Sequence, residues 1–364
     1  MFDLFVVTAP GLEALAEREV LGLGLTGKAV PGGVELRGSL LDVQRLNLWL
    51  RSATRVLVRL GTVKATAFPE LVRKASELPW AVFVKSGARV QVRATCRKSR
   101  LYHSGGVAER LLLSLQSKVK NASAVEDAGS GSEESVAGQL ILARFDHDVC
   151  TISIDSSGAL LHMRGWRGPQ AKAPLRETLA AALLLLAGYT GDEPLADPLC
   201  GSGTIAIEGA LMAMRRAPGL SRRFAFEEWP QFVRRGWDEQ LAQARSQERP
   251  MPAAVEASDQ DAGAVAATNE NALKAGVAVR ISQRRLLDLP AGPGLIACNP
   301  PYGVRIAAGS VWRDLGEAVR RRASWRVAAV IADEKAAFEA RLRFTQMAKT
   351  ETGGLRIALS LAQS

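Results

Sequence analysis

The sequence has few of the residues that build metal centres or disulfide frameworks. Its 364 residues include only three histidines, and no two of these have the spacing of metal ligands. The cysteines show no C-x-x-C spacing; they are Cys96, Cys150, Cys200 and Cys298. We therefore expect no metal site and no disulfide scaffold, and a reduced, cytoplasmic setting.

Long apolar runs are also missing. The longest, residues 179–187, is far shorter than the ~20 residues that span a bilayer. No basic segment followed by an apolar core stands at the N-terminus, so no signal peptide is predicted. With 47% hydrophobic and 23% charged residues, the composition is that of a soluble globular protein, and the length predicts two or three domains.

Positive charge, by contrast, is concentrated in one part of the chain. Residues 59–120 contain 13 lysines and arginines against three acidic residues, an excess equal to the net charge of +10 for the whole sequence. This pattern is typical of a surface that binds a phosphate backbone; the alternative is a basic surface that serves solubility. The residues that we expect to bind nucleic acid are Arg93, Arg97, Lys98, Arg100, Lys118 and Lys120.

The first 60 residues predict a small α+β module. Apolar spacing indicates a β-α-β-α-β order, with helices over residues 11–21 and 40–50. A second α+β module follows, with a basic turn over residues 96–103 and a polar surface loop over residues 126–135. Such an order places the helices of each module on one face of a sheet.

The rest of the chain has the pattern of an α/β domain. Strand candidates end at Ala196, Ser258, Leu287, Cys298 and Ala332, and helix-like runs separate most of them. This alternation predicts a parallel sheet. The short connection between the last two strand candidates predicts a terminal antiparallel hairpin, because parallel strands need a longer crossover.

A glycine-rich turn follows the first strand of this domain. Asp197 ends the strand, Gly201 and Gly203 allow tight turns, and Thr204 begins a helical run. The loop is neither G-x-G-x-x-G nor a phosphate-binding P-loop. An acid in this place suits a ligand that is cationic or donates hydrogen bonds, although an ordinary strand-to-helix turn would have the same residues.

Three more polar positions fall at predicted strand ends. Asp259 is placed to accept hydrogen bonds from ribose hydroxyls, and Asp288 from an exocyclic amine, although in isolation Asp288 is more typical of a turn. For Asp261 we favour a helix N-cap. The most specific signal is Asn299-Pro300-Pro301-Tyr302: the prolines fix the backbone, an amide and a carbonyl oxygen can accept from one NH2 group, and the tyrosine can stack on a base.

These residues carry a family resemblance. Residues 197–204 and 299–302 together resemble class I, S-adenosylmethionine-dependent amino-methyltransferases. The runs at residues 173–180 and 224–230 narrow the resemblance to the THUMP-domain RNA guanine-N2 methyltransferases, the family of bacterial large-subunit rRNA enzymes and related tRNA enzymes. The resemblance extends over essentially the whole chain. It implies a ferredoxin-like module (1–60), a THUMP RNA-binding module (61–167) and a Rossmann-like class I methyltransferase domain (168–364) with a mostly parallel, seven-stranded sheet.

The resemblance also implies residue roles around S-adenosylmethionine. The methionine part would contact Asp197, Cys200, Gly201, Gly203 and Thr204, while Asp259 would hold the ribose and Asp288 the adenine. Pro174 and Thr178 would close the pocket. The target base would be held by Asn299, Pro300, Pro301 and Tyr302, with Asn299 also next to the cofactor. Leu199 stands where the family often has phenylalanine, and residues 126–135 resemble an insertion.

The resulting expectation is a monomeric enzyme that methylates the exocyclic N2 amine of a guanosine in 23S rRNA. Transfer RNA guanine is the first alternative. The same tetrapeptide could serve adenine N6 in DNA, which only the THUMP resemblance disfavours, or a glutamine amide, which the basic stretch disfavours. An RNA-binding protein with a decayed catalytic domain is a further alternative, and the complete set of motif residues argues against it.

Overall fold

The structure is a computed structural model that describes residues 1–125, 138–168, 175–289, 294–301, 308–321 and 325–363. Two sheets organise these residues, an eight-stranded one in the N-terminal half and a seven-stranded one in the C-terminal half. Pro174, Tyr302 and the loop at residues 126–135 lie outside the described residues.

The N-terminal sheet has the strand order β2-β3-β1-β4-β8-β7-β5-β6, and only β5 pairs in parallel with its neighbours. Its strands are β1 (Phe2–Thr8), β2 (Gly27–Val30), β3 (Gly33–Gly38), β4 (Ala53–Lys64), β5 (Arg89–Arg97), β6 (Ser123–Ala124), β7 (Gln139–Asp146) and β8 (Val149–Asp155). The helices of this half are α1 (Glu13–Gly22), α2 (Leu40–Trp49), α3 (Phe68–Ala75), α4 (Trp80–Phe83) and α5 (Ser104–Gln116).

One strand joins the two N-terminal modules. β4 pairs with β1 through residues 53–59 and with β8 through residues 57–64. The predicted boundary between residues 60 and 61 therefore lies inside a strand, and both modules contribute to one continuous sheet. The division of this half at that point stays a prediction.

The first module is a complete β-α-β-β-α-β unit, as a ferredoxin-like fold requires. The predicted β-α-β-α-β order was wrong because it omitted β2. This strand has four residues, Gly-Lys-Ala-Val, with no clear apolar alternation and no fully buried position. It forms by pairing with β3, and these contacts cannot be predicted from the four residues of β2 alone.

The C-terminal sheet has the order β11-β10-β9-β12-β13-β15-β14, parallel from β11 to β13 and antiparallel at the end. The class I methyltransferase architecture and its terminal hairpin are thus as predicted. The strands are β9 (Leu195–Asp197), β10 (Val255–Asp259), β11 (Arg280–Gln283), β12 (Gly294–Cys298), β13 (Trp325–Ile331), β14 (Thr345–Thr352) and β15 (Leu355–Gln363). The helices are α6 (Glu177–Leu186), α7 (Thr204–Ala213), α8 (Arg234–Ser246), α9 (Ala262–Ala275), α10 (Ala308–Arg320) and α11 (Glu334–Phe338).

Helices cover both faces of this sheet. Leu295 and Ala297 of β12 point into a core shared with α6 and α7, while Ile296 and Cys298 point into a core shared with α10. Leu12 and Leu15, at the start of α1, join the first of these cores, so the N-terminal half packs directly on the C-terminal half. The alternation along β12 explains why the strand reads as a continuous apolar run.

The strand expected to end at Leu287 was wrong. β11 already ends at Gln283, and residues 286–288 form a 3-10 turn. The apolar residues there serve the core instead of the sheet, because Leu286 is buried among side chains that include Trp312 and Leu315.

Candidate active site

Three adjacent strands bring the predicted site residues to one edge of the C-terminal sheet. β9 lies between β10 and β12, with Asp197 level with Ala257 and Ala196 level with Ile296. Asp259 therefore lies just beyond Asp197 on one side, and Asn299, directly after β12, on the other. The chain leaves β9 toward β10, while β12 lies on the opposite side, and in such sheets the crevice at this reversal of strand order is where ligands bind.

The glycine loop between β9 and α7 has two residues in the left-handed region. Gly201 has φ +54° and Gly203, the N-cap of α7, has φ +84°. A Cβ on Gly203 would lie 2.7 Å from Thr268 Cγ2, whereas a Cβ on Gly201 would meet nothing within 4 Å. Gly203 thus permits close packing against α9, and Gly201 leaves open space in which a ligand can approach the backbone.

Hydrogen bonds from β10 and α9 hold the loop in this conformation. The Gly201 N–H donates to Asp259 Oδ2 (3.1 Å), and the Cys200 N–H donates to the Ser258 carbonyl (3.1 Å). From α9, Thr268 Oγ1 donates to the Gly201 carbonyl (3.0 Å) and Asn271 Nδ2 to the Ser202 carbonyl (3.0 Å). The loop is preorganised before any ligand arrives.

Thr268 and Asn271 escaped prediction from the sequence. Both are buried, three residues apart on the face of α9 that covers the loop. Polar residues at helical spacing are typical of a solvated surface, so only their contacts reveal the role. Asp261, in contrast, is the predicted N-cap, accepting from the Ala264 N–H at 2.7 Å.

Asp197 is a buried carboxyl group at the centre of this edge. Burial, with a smaller contribution from the nearby Asp259 carboxylate, raises its pKa to about 8. The Leu199 N–H donates to its Oδ1 at 3.4 Å. Among the described residues, no lysine, arginine or histidine lowers the pKa of Asp197. A cationic ligand would therefore supply the charge partner that this carboxylate lacks.

The cysteine of the loop is not a nucleophile. Burial raises the pKa of the Cys200 thiol to about 12, and its sulfur lies 3.4 Å from Thr268 Oγ1. A thiol with so high a pKa is almost wholly protonated near neutral pH. Any contact of Cys200 with a ligand is left to its backbone and to the apolar surface of its side chain.

Asn299 presents an acceptor that no described residue satisfies. It is half-buried just after β12, and its buried Oδ1 accepts no hydrogen bond from the residues that the structure describes. Pro300, which follows, is buried and has no N–H that could satisfy this oxygen. An unsatisfied buried acceptor is costly, and a ligand that brings an N–H donor would remove the cost.

The other residues predicted to contact the cofactor differ in how deeply they are buried. Thr178 is buried in the first turn of α6, and Thr204 is buried at the start of α7. Asp288 lies exposed in the 3-10 turn after β11, which packs on α10 through Leu286, and its contact with a cofactor stays a prediction.

The predicted nucleic-acid residues do not form one cluster. Arg97, Lys98 and Arg100 are exposed at the carboxyl end of β5. The Lys120 carbonyl accepts from the Gly87 N–H, so Lys118 and Lys120 lie near the opposite end of β5, roughly 25 Å away at the usual rise per strand residue. We call Arg97, Lys98 and Arg100 the β5 tip. Arg93 is half-buried in the strand between the two groups.

In the described ranges no three histidine, cysteine or acidic side chains are grouped as metal ligands would be. Over the same ranges, no helix combines the length and the apolar character that a membrane crossing requires.

Comparison with protein families gives two matches along the chain. Residues 164–362 match the model described as "RMKL-like, methyltransferase domain". Residues 3–57 match the model described as "RlmL ferredoxin-like domain". The second model covers the N-terminal unit from β1 into β4, and the first covers the C-terminal sheet as far as residue 362 of β15.

Individual relatives agree with these matches. YpsC of Bacillus subtilis (strain 168), named as a candidate RNA methyltransferase, is 34% identical over 339 residues, 90% of this chain and 88% of that protein. A Listeria monocytogenes protein, described as a predicted N6-adenine-specific DNA methylase, superimposes with a TM-score of 0.87 and 30% identity, over 99% of this chain and 95% of its own. SMU.472, a candidate methyltransferase solved in complex with S-adenosylhomocysteine, has a TM-score of 0.87 and 28% identity, covering 100% of this chain and 98% of its own.

Proposed function

This chain belongs to the RMKL-like methyltransferase family, and from that premise we propose that it uses S-adenosylmethionine to methylate the exocyclic N2 amine of a guanosine in 23S rRNA. The observation that carries the proposal is Asn299 Oδ1, a buried acceptor to which no described residue donates, at the sheet edge that also holds Asp197. An amine substrate supplies the donor that this oxygen lacks.

The residues of the glycine loop fit S-adenosylmethionine. The open space beside Gly201 admits a ligand against the backbone, and the buried Asp197 carboxyl suits a positively charged ligand. Asp259 reaches the same edge with a carboxylate that can accept from ribose hydroxyls. When bound, S-adenosylmethionine supplies an electrophilic methyl group on a sulfonium sulfur.

The residues after β12 would orient the acceptor amine. The lone pair of an aromatic amine is delocalised into the ring, which makes the nitrogen a poor nucleophile. Asn299 Oδ1 and the Pro300 carbonyl accept from the two N–H groups of the amine, draw the nitrogen toward tetrahedral geometry and aim its lone pair at the methyl group. Positioning of this kind contributes ~7–11 kcal/mol when the reacting atoms are aligned.

A structured RNA suits the basic residues of the N-terminal half. The exposed cations of the β5 tip attract phosphates, whereas a glutamine side chain in a protein substrate would give them nothing to bind. The target nucleotide must be unpaired or flipped out, at a cost of a few kcal/mol. In the proposal, stacking of the base on Tyr302 offsets part of that cost, by about 1–3 kcal/mol.

One finding supports the choice of large-subunit rRNA: the N-terminal match is to the ferredoxin-like domain of RlmL. The resemblance of the sequence covers both the large-subunit rRNA enzymes and the related tRNA enzymes. In the proposal, residues 61–167 bind the RNA as a THUMP module after the ferredoxin-like module of residues 1–60, and residues 168–364 carry out the transfer.

Mass mapping of modified nucleosides tests this function. We expect a strain that lacks the gene to lose one N2-methylguanosine from 23S rRNA, and to regain it with the wild-type gene but not with Asn299→Ala. Loss of the modification from tRNA alone would change the substrate class. Unchanged nucleosides in both RNAs, or failure of the purified protein to bind S-adenosylmethionine at submillimolar concentration, would refute the proposal.

A further inference from the structure

Arg167 connects the glycine loop to the segment that precedes the C-terminal sheet. Its Nη1 donates to Ser202 Oγ (3.1 Å) and its Nη2 donates to Thr204 Oγ1 (2.8 Å). The same guanidinium donates through Nε to Glu177 Oε1 (2.7 Å) in the first turn of α6. One side chain thus joins the loop, the start of α7 and the start of α6.

The carboxylate partner of Arg167 is deeply buried. Glu177 is 2% exposed, and burial raises its pKa, an effect that the adjacent Arg167 partly opposes. Since a buried carboxylate without its partner is strongly unfavourable, this pair fixes the direction of the guanidinium. The two remaining donor nitrogens then point toward the loop hydroxyls, and Nη2 also donates to the Leu175 carbonyl (3.3 Å).

Neighbouring residues hold Arg167 in place. Trp166 is buried against Ile207 and Leu211 of α7, and the Arg167 guanidinium lies 5.1 Å from the centre of the Trp166 ring. Gly165 has φ +95°, and a Cβ there would lie 2.7 Å from the Ser221 carbonyl oxygen, so the backbone turn before Trp166 requires glycine.

The segment also reaches the N-terminal half. Arg164 donates to Glu208 Oε1 in the second turn of α7 (3.2 Å) and to the Arg51 carbonyl (2.7 Å). Glu208 is fully buried, and Arg51 Nη1 lies 3.8 Å from its Oε2. Residues 164–167 therefore bind two successive turns of α7, the first through Arg167 and the second through Arg164.

We propose that Arg167 is a positioning residue for the cofactor, which sets the affinity for S-adenosylmethionine by holding Ser202 and Thr204 on either side of Gly203. The inference rests on the proposed function, since it takes the glycine loop as the cofactor site. Arg167 reaches the ligand only through the loop. Its removal frees the Ser202 and Thr204 hydroxyls and leaves Glu177 without its charge partner. The bonds from β10 and α9 still hold the loop backbone, but these two side chains lose their common anchor.

Calorimetric titration of the full-length protein with S-adenosylmethionine tests the proposal. We expect Arg167→Gln to raise the Kd by about tenfold or more, as the loss of charged hydrogen bonds implies. The Kd of Arg167→Lys is expected to lie between those of the wild type and Arg167→Gln, because an ammonium cannot donate in the three fixed directions of a guanidinium. In turnover assays the KM for S-adenosylmethionine should rise while kcat at saturating cofactor and the Kd for RNA change little.

Arg216→Gln is the matched control. Arg216 is an arginine of similar exposure, 24% against 18%, which also bonds a glutamate and backbone carbonyls but does not contact the loop. We expect it to lower the melting temperature, though less than Arg167→Gln because its partner Glu248 is less buried than Glu177, with an unchanged Kd for the cofactor. Equal weakening of cofactor binding by both variants would overturn the inference.

The outcomes separate the inference from the proposed function. Wild-type protein that fails to bind S-adenosylmethionine refutes the function itself. Wild-type protein that binds, alongside Arg167→Gln that binds equally well, refutes only the role of Arg167. If Arg167→Gln does not fold, Arg167→Lys decides, and a Kd equal to that of the wild type would overturn the proposal.

Discussion

Gly201 and Asp259 form the link between the first two strands of the candidate site: the Gly201 N–H donates to Asp259 Oδ2 at 3.1 Å. The other carboxylate oxygen of Asp259 accepts from the Asp261 N–H, also at 3.1 Å. Both contacts come from backbone and fix the carboxylate plane. Each oxygen keeps a further lone pair, so Asp259 can still accept from a ligand in a direction that the fold has set.

Asn299→Ala should slow methyl transfer severely and leave RNA binding intact. The variant removes the amide oxygen that orients the amine, and we expect kcat to fall by about 10²–10³-fold, the usual effect of removing one group that acts in the transition state. Single-turnover methyl transfer and the Kd for RNA are measured together. Asn269→Ala, on the exposed face of α9, is the control and should retain full activity. A retained rate in Asn299→Ala would contradict the assignment.

Neutralising the β5 tip should weaken RNA binding and leave the cofactor unaffected. Replacing Arg97, Lys98 and Arg100 by glutamine removes up to three phosphate contacts, so the slope of log K against log salt should fall by about 2–3. The charge-matched control replaces three exposed arginines of α8: Arg234, Arg235 and Arg245. Equal affinity and slope in the β5-tip variant and the wild type would exclude this surface as the docking site.

The separation of the basic groups leads to its own prediction. Because Lys118 and Lys120 lie at the opposite end of β5, an RNA that contacts both groups must span roughly 25 Å. An oligonucleotide too short to span this distance should therefore lose affinity only when the group that it contacts is neutralised, and neutralising the other group should change its Kd little. Longer structured RNA should show additive losses. Binding series with RNAs of increasing length distinguish these cases, and additive losses with the shortest RNA would contradict the separation.

Asp197 should make the ligand-free protein less stable as pH rises. Its folded pKa of about 8 lies above that of the unfolded chain, so the folded state holds a proton that the unfolded state loses between about pH 4 and 8. Across this window the unfolding free energy of the wild type, relative to Asp197→Asn, should fall with a slope approaching about 1.4 kcal/mol per pH unit. Denaturant titrations at several pH values measure the difference.

Asp192→Asn is the control for this pH series. Hydrogen bonds from Thr190 and Arg249 lower the pKa of Asp192, so its effect belongs to more acidic pH. Replacing it should leave the profile from about pH 5 to 8 unchanged. If the difference in unfolding free energy between the wild type and Asp197→Asn does not change over the same pH range, the Asp197 carboxyl is ionised in the folded protein.

The two loop glycines should respond differently to alanine. Both have positive φ, which costs an alanine about 1–2 kcal/mol, but only at Gly203 does the new methyl also clash, with Thr268. Gly203→Ala should thus lose more unfolding free energy than Gly201→Ala. Gly24→Ala, at φ +74° with open space and far from the loop, measures the backbone cost alone. Gly201→Ala should match it in stability and differ from it in weaker cofactor binding.

The sequence predicts this site because its landmarks are local. Asp197-Pro198 stops a strand, Gly201 and Gly203 mark the loop, and Asn299-Pro300-Pro301 can adopt few backbone shapes. The alternation of strands with helices predicts a parallel sheet, in which these residues follow neighbouring strands at one edge, and the observed sheet confirms this placement. Their roles as ligands of cofactor and base stay predictions, to be tested by the variants above.

Other features depend on contacts between distant residues, which no local sequence pattern predicts. β2 and β11 are short strands at the edges of their sheets, defined by pairing with one neighbour. α8 is so polar that it buries only Trp237 and Ala244, and it was not predicted. Thr268, Asn271 and Arg167 read as ordinary polar residues until the fold brings them to the loop, because their partners are distant in sequence.

The passage of β4 through the predicted boundary also decides where this protein can be divided. A cut after residue 60 would split the pairing of β4 with β8, leaving residues 57–60 on one fragment and residues 61–64 on the other. Each fragment would then carry an exposed, partly apolar strand edge, the usual starting point for aggregation. A cut after residue 167 would fare no better, because Phe224, Phe226 and Trp229 pack in the core of the first sheet. Crystallisation and binding work should therefore use the whole chain, and the first sheet should melt in a single transition.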